Sequence, residues 1–330
     1  CAKLMNKCFG GNTVLSGDAG IFPSSLLDMR SVDKGAVLVY LHHSAVSEDK
    51  FSLPKEFNFV SAIQRTAKTW FFNNNAGAAR LPSLNFKTEF AQQALPKAVF
   101  SAAGLLGAVA EVADPVASLS DEQLDVVRRI MPPAEYAAAP VDLFAENITE
   151  RLNLKVKTDW GKWNVVGLFN FGGNFGPVIS NDPSGAFMPA TDTKTIPFTF
   201  EELGLAPALK YLVYDFWKDE LLGEFTGGTG VPVEPMGARV LVVRAETPVP
   251  QLVNSNRHIT SGAYEIPSLK WDEQSSTLSG ELKAVAGFNH VLTFRAPAPY
   301  RLVSATIDGK DASASYLEDH YDIFSISYAP

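Results

Sequence analysis

The stretch Val14-Leu15-Ser16-Gly17-Asp18-Ala19-Gly20-Ile21-Phe22-Pro23 sets one carboxylate among small residues, between two apolar pairs. It reads as a short strand that runs into a sharp turn and leaves Asp18 exposed at its end. A carboxyl group held there can give a proton to a departing oxygen and later take one from water, which is general acid/base work. The alternative is a turn: Asp bonds its own backbone and Gly accepts positive φ, so both are common turn residues. These ten residues alone favour the turn. His42-His43 closes a second apolar run. Adjacent strand residues point to opposite sides, so at most one of the pair, taken as His43, faces the same way as a strand-end acid. The pair lacks chelating spacing, and a structural role is the stronger reading. Nothing in the chain calls for a metal or a cofactor. The glycine-rich Gly223–Gly230 lacks the Lys and the strand-to-helix setting of a phosphate loop and is expected to be a hairpin connection. Two cysteines, Cys1 and Cys8, are either a small disulfide loop or two thiols, too few for a disulfide scaffold.

These groups need a framework, and the bulk numbers allow a large one. With 330 residues, 46% hydrophobic and 19% charged, the chain can bury two cores. A net charge of −8 argues against a nucleic-acid partner. No apolar run reaches the ~18 residues of a spanning helix, so no membrane partner is expected. The sequon Asn147-Ile148-Thr149 is the one feature that leans towards a secreted or extracytoplasmic protein. The chain opens on Cys1 without a signal-peptide pattern, so its start is expected to be a processed or fragment end.

Two compositions follow one another. In the first, Lys34–His43 reads as a buried strand, and Phe57–Phe72 as a helix with Phe59, Ile63, Ala67 and Trp70 on one face. The run from Phe86 reads as a helix to about Ala94, broken before Pro96, followed by a buried segment. The helix after Ser120 is the clearest: Ser120 caps it, Gln123 completes a capping box, Leu124, Val127 and Ile130 or Met131 form its buried face, and Pro132-Pro133 ends it. In the second, short aromatic and β-branched runs alternate with turn residues: "WNVVGLFNF", "TIPFTF", "YLVYDFW", "ARVLVVRA", "TLSGELKAVAG", "HVLTFRAP" and "YRLVSATIDG". That pattern suggests an antiparallel β-sandwich, in which His258 and Trp271 pack. The first half alternates α and β as a (β/α) barrel does, yet a full barrel takes roughly 200–250 residues. Either this is no barrel or its first half is missing.

Several phrases resemble glycoside hydrolases of the α-galactosidase clan. "DWGKWNVVGLFNF" (Asp159–Phe171), "YLVYDFWKDELLGEF" (Tyr211–Phe225), "EPMGARVLVVR" (Glu234–Arg244) and "PQLVNSNRHITSGAYEIPSLKWDEQSSTLSGEL" (Pro250–Leu282) are similar to the β-sandwich that follows the barrel there. The Ser120–Met131 helix behind "VADPVASLSDEQ" resembles the segment after the last barrel strand in glycoside hydrolase family 36. The resemblance implies α/β plus all-β: the C-terminal part of a (β/α)8 barrel at 1–135, a Pro/Ala-rich linker at 136–152 and an antiparallel sandwich at 153–330. It also gives "VLSGDAGIFP" a second meaning, because a late barrel strand of that family ends in a Ser-Asp turn whose Asp is the acid/base. Asp18 stands at that position, although Gly17 replaces the first Asp that many members carry.

The implied nucleophile, another Asp, belongs to an earlier strand that would precede Cys1; no Lys-x-Asp strand end occurs in the first 60 residues. A retaining glycosidase needs both carboxyl groups, about 5–5.5 Å apart, so another chain or a preceding segment is expected to complete the barrel. Under this reading the partner is an α-galactoside. Trp70 stacks on a sugar or packs the core, and Asn74, within Asn73-Asn74-Asn75, bonds hydroxyls or makes a turn. A second departure is that Thr69–Leu84 holds no carboxylate where relatives carry acidic motifs. That favours the alternative of a non-catalytic, structural or glycan-binding relative that kept the fold.

Overall fold

The computed structural model describes residues 14–18, 37–41, 78–81, 94–107, 109–112, 116–142, 149–171, 190–318 and 320–330. The first segment holds four short strands, β1 (Val14–Asp18), β2 (Val37–Leu41), β3 (Ala78–Leu81) and β4 (Val109–Val112). β1 pairs with β2, and β3 with β4, both in parallel. Helix α1 (Ala94–Leu106) lies between β3 and β4, which makes a β-α-β unit. A closed barrel is not among the described elements. The helix expected over Phe57–Phe72 lies outside the described residues.

α1 corrects one expectation. Pro96 does not break a helix; it is the third residue of one. The first-turn N–H groups of a helix have no intrahelical acceptor, so a proline there forfeits no bond. Gly107 ends α1 at φ +65°, the left-handed conformation that favours glycine. Helix α2 (Asp121–Ile130) has the expected capping box: Gln123 N–H donates to Ser120 Oγ at 3.3 Å, and Ser120 N–H to Gln123 Oε1 at 2.8 Å. Asp121 and Glu122 in its first turn and Arg128 and Arg129 in its last complement the helix dipole. Val126 and Ile130 are buried, with Val127 and Met131 packed beside them.

Residues 132–140 pack tightly on α1. Ala134 N–H donates to Gly104 O (2.9 Å) and Ala138 N–H to Leu105 O (2.8 Å). These are carbonyls that a helix end leaves without partners. The strap thus closes the end of α1 before the chain enters β5 (Ala139–Pro140).

The rest is built from antiparallel strands: β6 (Arg151–Lys157), β7 (Lys162–Phe169), β8 (Lys194–Thr199), β9 (Lys210–Asp215), β10 (Glu220–Thr226), β11 (Gly228–Val233), β12 (Ala238–Ala245), β13 (Gln251–Ser255), β14 (Ser268–Asp272), β15 (Thr277–Glu281), β16 (His290–Arg295), β17 (Thr306–Ile307), β18 (Lys310–Asp311), β19 (Ala314–Leu317) and β20 (His320–Tyr328). Six form one sheet in the order β10-β9-β12-β7-β6-β5. The pleat sorts its side chains into two cores. Leu152, Leu154, Trp163, Val165, Phe169, Tyr214, Val240 and Val242 face α1 and α2, where they meet Phe100, Leu105 and Ile130. Val166, Leu168, Tyr211, Val213, Leu241 and Val243 face the β8–β11 pair, with Ile196, Phe198, Val231 and Val233. The sheet is therefore the middle of three layers. A second sheet, β13-β16-β20-β19, and the β14–β15 hairpin follow.

Two other expectations change. Gly223–Gly230 is not a hairpin: β10 pairs with β9, β11 pairs with β8, and the chain switches sheets between them. Gly227 (φ +79°) and Gly228 make that corner, and a Cβ on Gly228 would lie 2.4 Å from Phe198 O. Only Thr306–Ile307 of the run "YRLVSATIDG" is strand.

Candidate functional site

Asp18 is the last residue of β1, in register with Leu41, the last residue of β2. Two parallel strands therefore end together, one on the candidate acid and the other two residues before His43. His43, Trp70 and Asn74 lie outside the described residues, so of the four candidates only the backbone position of Asp18 is described. β3 lies against β2. Among the described residues no group of three or more His, Cys, Asp or Glu side chains could hold a metal ion.

A second concentration of polar chemistry was not visible in the sequence. It sits where β12, β13 and the loop after β13 meet. Arg244, 5% exposed, lays its guanidinium 3.8 Å from the centroid of the Trp163 ring. Its Nε–H donates to Val253 O at 3.0 Å and an Nη2–H to Ser261 O at 2.7 Å. Burial pulls its pKa down to about 9, against the attraction of Glu265. Glu265 is 3% exposed and accepts from the Ser255 hydroxyl. Burial raises its pKa, and the Ser255 bond opposes the rise. Ser261 Oγ accepts from Ser255 N–H (3.2 Å) and donates to Asn254 Oδ1 (3.0 Å).

What can this cluster do chemically? Arg244 spends its described bonds on two carbonyls and a ring, and every member named is buried. A sugar hydroxyl has no access to them. The arrangement fixes backbone: it ties β12 to β13 and shapes the loop that follows. Trp163 Nε1–H adds a bond to Thr260 O (2.9 Å) and Trp160 Nε1–H one to Ile266 O (2.7 Å). No sequence motif marks the cluster, because most of its acceptors are carbonyls of residues far along the chain.

The same loop carries His258, 1% exposed. The expectation that it packs inside the β-region is incomplete, since its Nε2 meets Pro132 O at 2.6 Å, beyond the end of α2. Trp271 packs edge-on against Tyr300, with centroids 5.0 Å apart.

Asp142 is buried at the end of the strap. Its Oδ2 accepts from Glu150 N–H at 2.9 Å and lies 3.5 Å from Arg151 Nε. Burial raises its pKa, while Glu150 N–H and Arg151 oppose the rise. It ties the end of the strap to the start of β6.

No protein-family model matches the chain, and no curated protein matches it. Solved structures do. A family 27 β-L-arabinopyranosidase from Geobacillus stearothermophilus, solved with arabinose, is 11% identical with a TM-score of 0.52, covering 74% of this chain and 53% of that one. α-Galactosidase I from Mortierella vinacea is 13% identical with a TM-score of 0.39, covering 56% of this chain and 42% of that one. The chain spans about half the length of these enzymes. At such identities the likeness is one of fold alone, and the arabinopyranosidase carries it: the chain is folded like about half of that enzyme.

Proposed function

We propose that the chain is the C-terminal part of a retaining glycoside hydrolase of the α-galactosidase type. In this reading, residues 1–135 are the last part of a (β/α)8 barrel, 136–152 a linker and 153–330 the accessory sandwich. The observation that carries the proposal is the place of Asp18, the final residue of a strand in a parallel pair, in a chain folded like about half of the arabinopyranosidase. Barrel enzymes build their sites at the C-terminal ends of parallel strands.

The chemistry assigned to Asp18 has two halves. Protonated, it gives its proton to the glycosidic oxygen as a carboxylate from outside residues 1–330 attacks the anomeric carbon. The C–O bond breaks, the alcohol leaves, and a covalent glycosyl ester forms. Ionised, Asp18 then takes a proton from the water that attacks this ester, which frees the nucleophile and restores the acid. Trp70 stacks on the sugar, and Asn74 and His43 bond its hydroxyls. The substrate class is an α-galactoside.

Asp18→Asn in the full-length protein tests the reading. Turnover of an unactivated galactoside should be lost. An aryl galactoside with a good leaving group should retain more activity, because its first step needs little acid. Azide should restore part of the rate by attacking the glycosyl ester without a base. An unchanged rate on the unactivated substrate would return Asp18 to the role of a turn residue. A second reading, a non-catalytic relative, is favoured by the absence of any carboxylate in Thr69–Leu84. It gains if the unmutated full-length protein hydrolyses no α-galactoside.

A further inference from the structure

The loop between β13 and β14 closes on itself at its base and grips a distant helix at its tip. At the base, the Ser255 hydroxyl donates to Glu265, and Ser261 Oγ joins Ser255 N–H to Asn254. At the tip, four donors reach α2 and the two prolines after it. Arg257 Nη1–H bonds Arg128 O, and Ile259 N–H bonds Arg129 O at 2.7 Å. His258 Nε2 meets Pro132 O at 2.6 Å, and Tyr264 O–H donates to Pro133 O at 3.1 Å. A helix cannot satisfy its last carbonyls itself. Here a loop more than 100 residues further along the chain satisfies them.

The bonding fixes the state of His258. A carbonyl only accepts, so Nε2 carries the hydrogen. Nδ1 is then bare, and it accepts Thr260 N–H at 3.2 Å and lies 2.7 Å from Thr260 Oγ1. A proton on Nδ1 would point at that N–H and leave it without an acceptor. The new charge would sit in a site that is 1% exposed. The Thr260 hydroxyl could accept the new proton and the carbonyls of Ile130 and Pro132 favour it, but burial outweighs them. Arg257, on the same loop, acts on it as a second cation. Tyr264 packs edge-on against the ring, 4.5 Å between centroids. From the α2 side come the carbonyls of Ile130 and Pro132. Arg128 lends only its carbonyl to the loop, the Arg129 side chain is paired with Asp125 at 2.8 Å, and Glu135 acts on Tyr264.

We propose that loop 255–265 is an acid-sensitive latch: neutral His258 holds it on the end of α2, and protonation of His258 releases it. The glycosidase reading is not needed for this. Burial is the main reason the proton binds poorly, lowering the His258 pKa from 6.5 to about 4, with Arg257 adding to the effect and the Pro132 carbonyl opposing it. The released loop exposes the imidazole and takes the proton near 6.5. The closed state therefore has its full advantage above pH 6.5 and loses it as pH falls towards 4. With the Ser255–Glu265 base still closed, His258 alone raises the ratio of open to closed on the order of 20-fold between pH 7 and pH 5.

Amide hydrogen exchange on the whole chain, corrected for the intrinsic effect of pH, reads this opening. Going from pH 7 to pH 5, the amides of residues 257–264 and the last turn of α2 should open roughly 20-fold more often, while the core strands β7 and β12 hold their protection. His258→Gln keeps a donor for Pro132 O but cannot titrate, so its pH step should vanish. Equal protection of the latch at both pH values in the unmutated protein overturns the proposal, and so does an undiminished step in His258→Gln. Should that variant fail to fold, the ring nitrogens of His258 in the unmutated protein decide. A neutral ring with hydrogen on Nε2 persisting below pH 5.5 upholds the latch; titration near 6.5 sinks it.

Discussion

Gly107→Ala tests how firmly the strap is bound to the end of α1. Two separate costs attach to the change. The first is conformational: Gly107 has φ +65°, and a side chain in the left-handed region costs about 1–2 kcal/mol. The second is steric. A Cβ at this position would stand 2.4 Å from Ala134 O, a backbone atom. Overpacking of this kind typically costs ~1–3 kcal/mol, because Ala134 cannot withdraw without loosening its own bond to Gly104 O. The sum is about 3 kcal/mol, within a range of roughly 2–5. Gly287 supplies the control. Its φ is +72°, and an added Cβ would meet nothing within 4 Å, so Gly287→Ala carries the conformational cost alone, about 1–2 kcal/mol. Urea unfolding followed by tryptophan fluorescence measures both, with equal slopes as the condition for comparing midpoints. Equal losses in the two variants would refute the reasoning, since they would mean that the strap yields freely.

Glu265→Gln should change how stability depends on pH. The buried carboxyl has a raised pKa in the folded state, so the folded protein holds that proton more tightly than the unfolded chain. This contribution is complete below about 4.5 and is lost as pH rises through the folded value. The Gln variant should lack the decline, and its urea midpoint relative to the unmutated protein should rise with pH; parallel curves would count against a buried, ionisable Glu265. Arg244→Lys should destabilise by ~3 kcal/mol, because an ammonium cannot lie flat on Trp163 and reach both carbonyls. A loss below ~1 kcal/mol in the same urea assay would show that the guanidinium fork is dispensable.

Legibility followed the range of the physics. The start of α2 was readable because its cap is local, Ser120 bonding three residues on. β7, β9 and β12 of the six-stranded sheet read as continuous apolar runs because both of their faces are covered, whereas β5, β6 and β10 carry no such run. α1 was misjudged because a proline breaks a helix only past its first turn, and sequence does not say where that turn begins. The corner at Gly227-Gly228 reads like a hairpin because glycine reports an unusual φ and not which strands pair. The polar cluster around Arg244 was invisible, since carbonyls of Val253 and Ser261 bear no side-chain signature. For the candidate site, a strand ending on Asp18 could be read directly. Its role could not, because a carboxylate at a strand end followed by glycine reads equally as an acid and as a turn residue.

The six-stranded sheet treats its two margins differently. On one side β10 carries Glu220 and Glu224, and its ladder slips between Leu221 and Gly223, where Gly223 takes φ +132°. On the other, β5 is two residues long and includes Pro140, which has no N–H. A foreign strand that tried to extend the sheet would find a bent ladder at one margin and, at the other, a two-residue strand that covers only part of β6. Open sheet edges are the templates on which copies of a protein pair into aggregates. β5 pairs only with Leu152 and Asn153 of β6, so among the described strands the stretch of β6 beyond them is where another copy could add a strand.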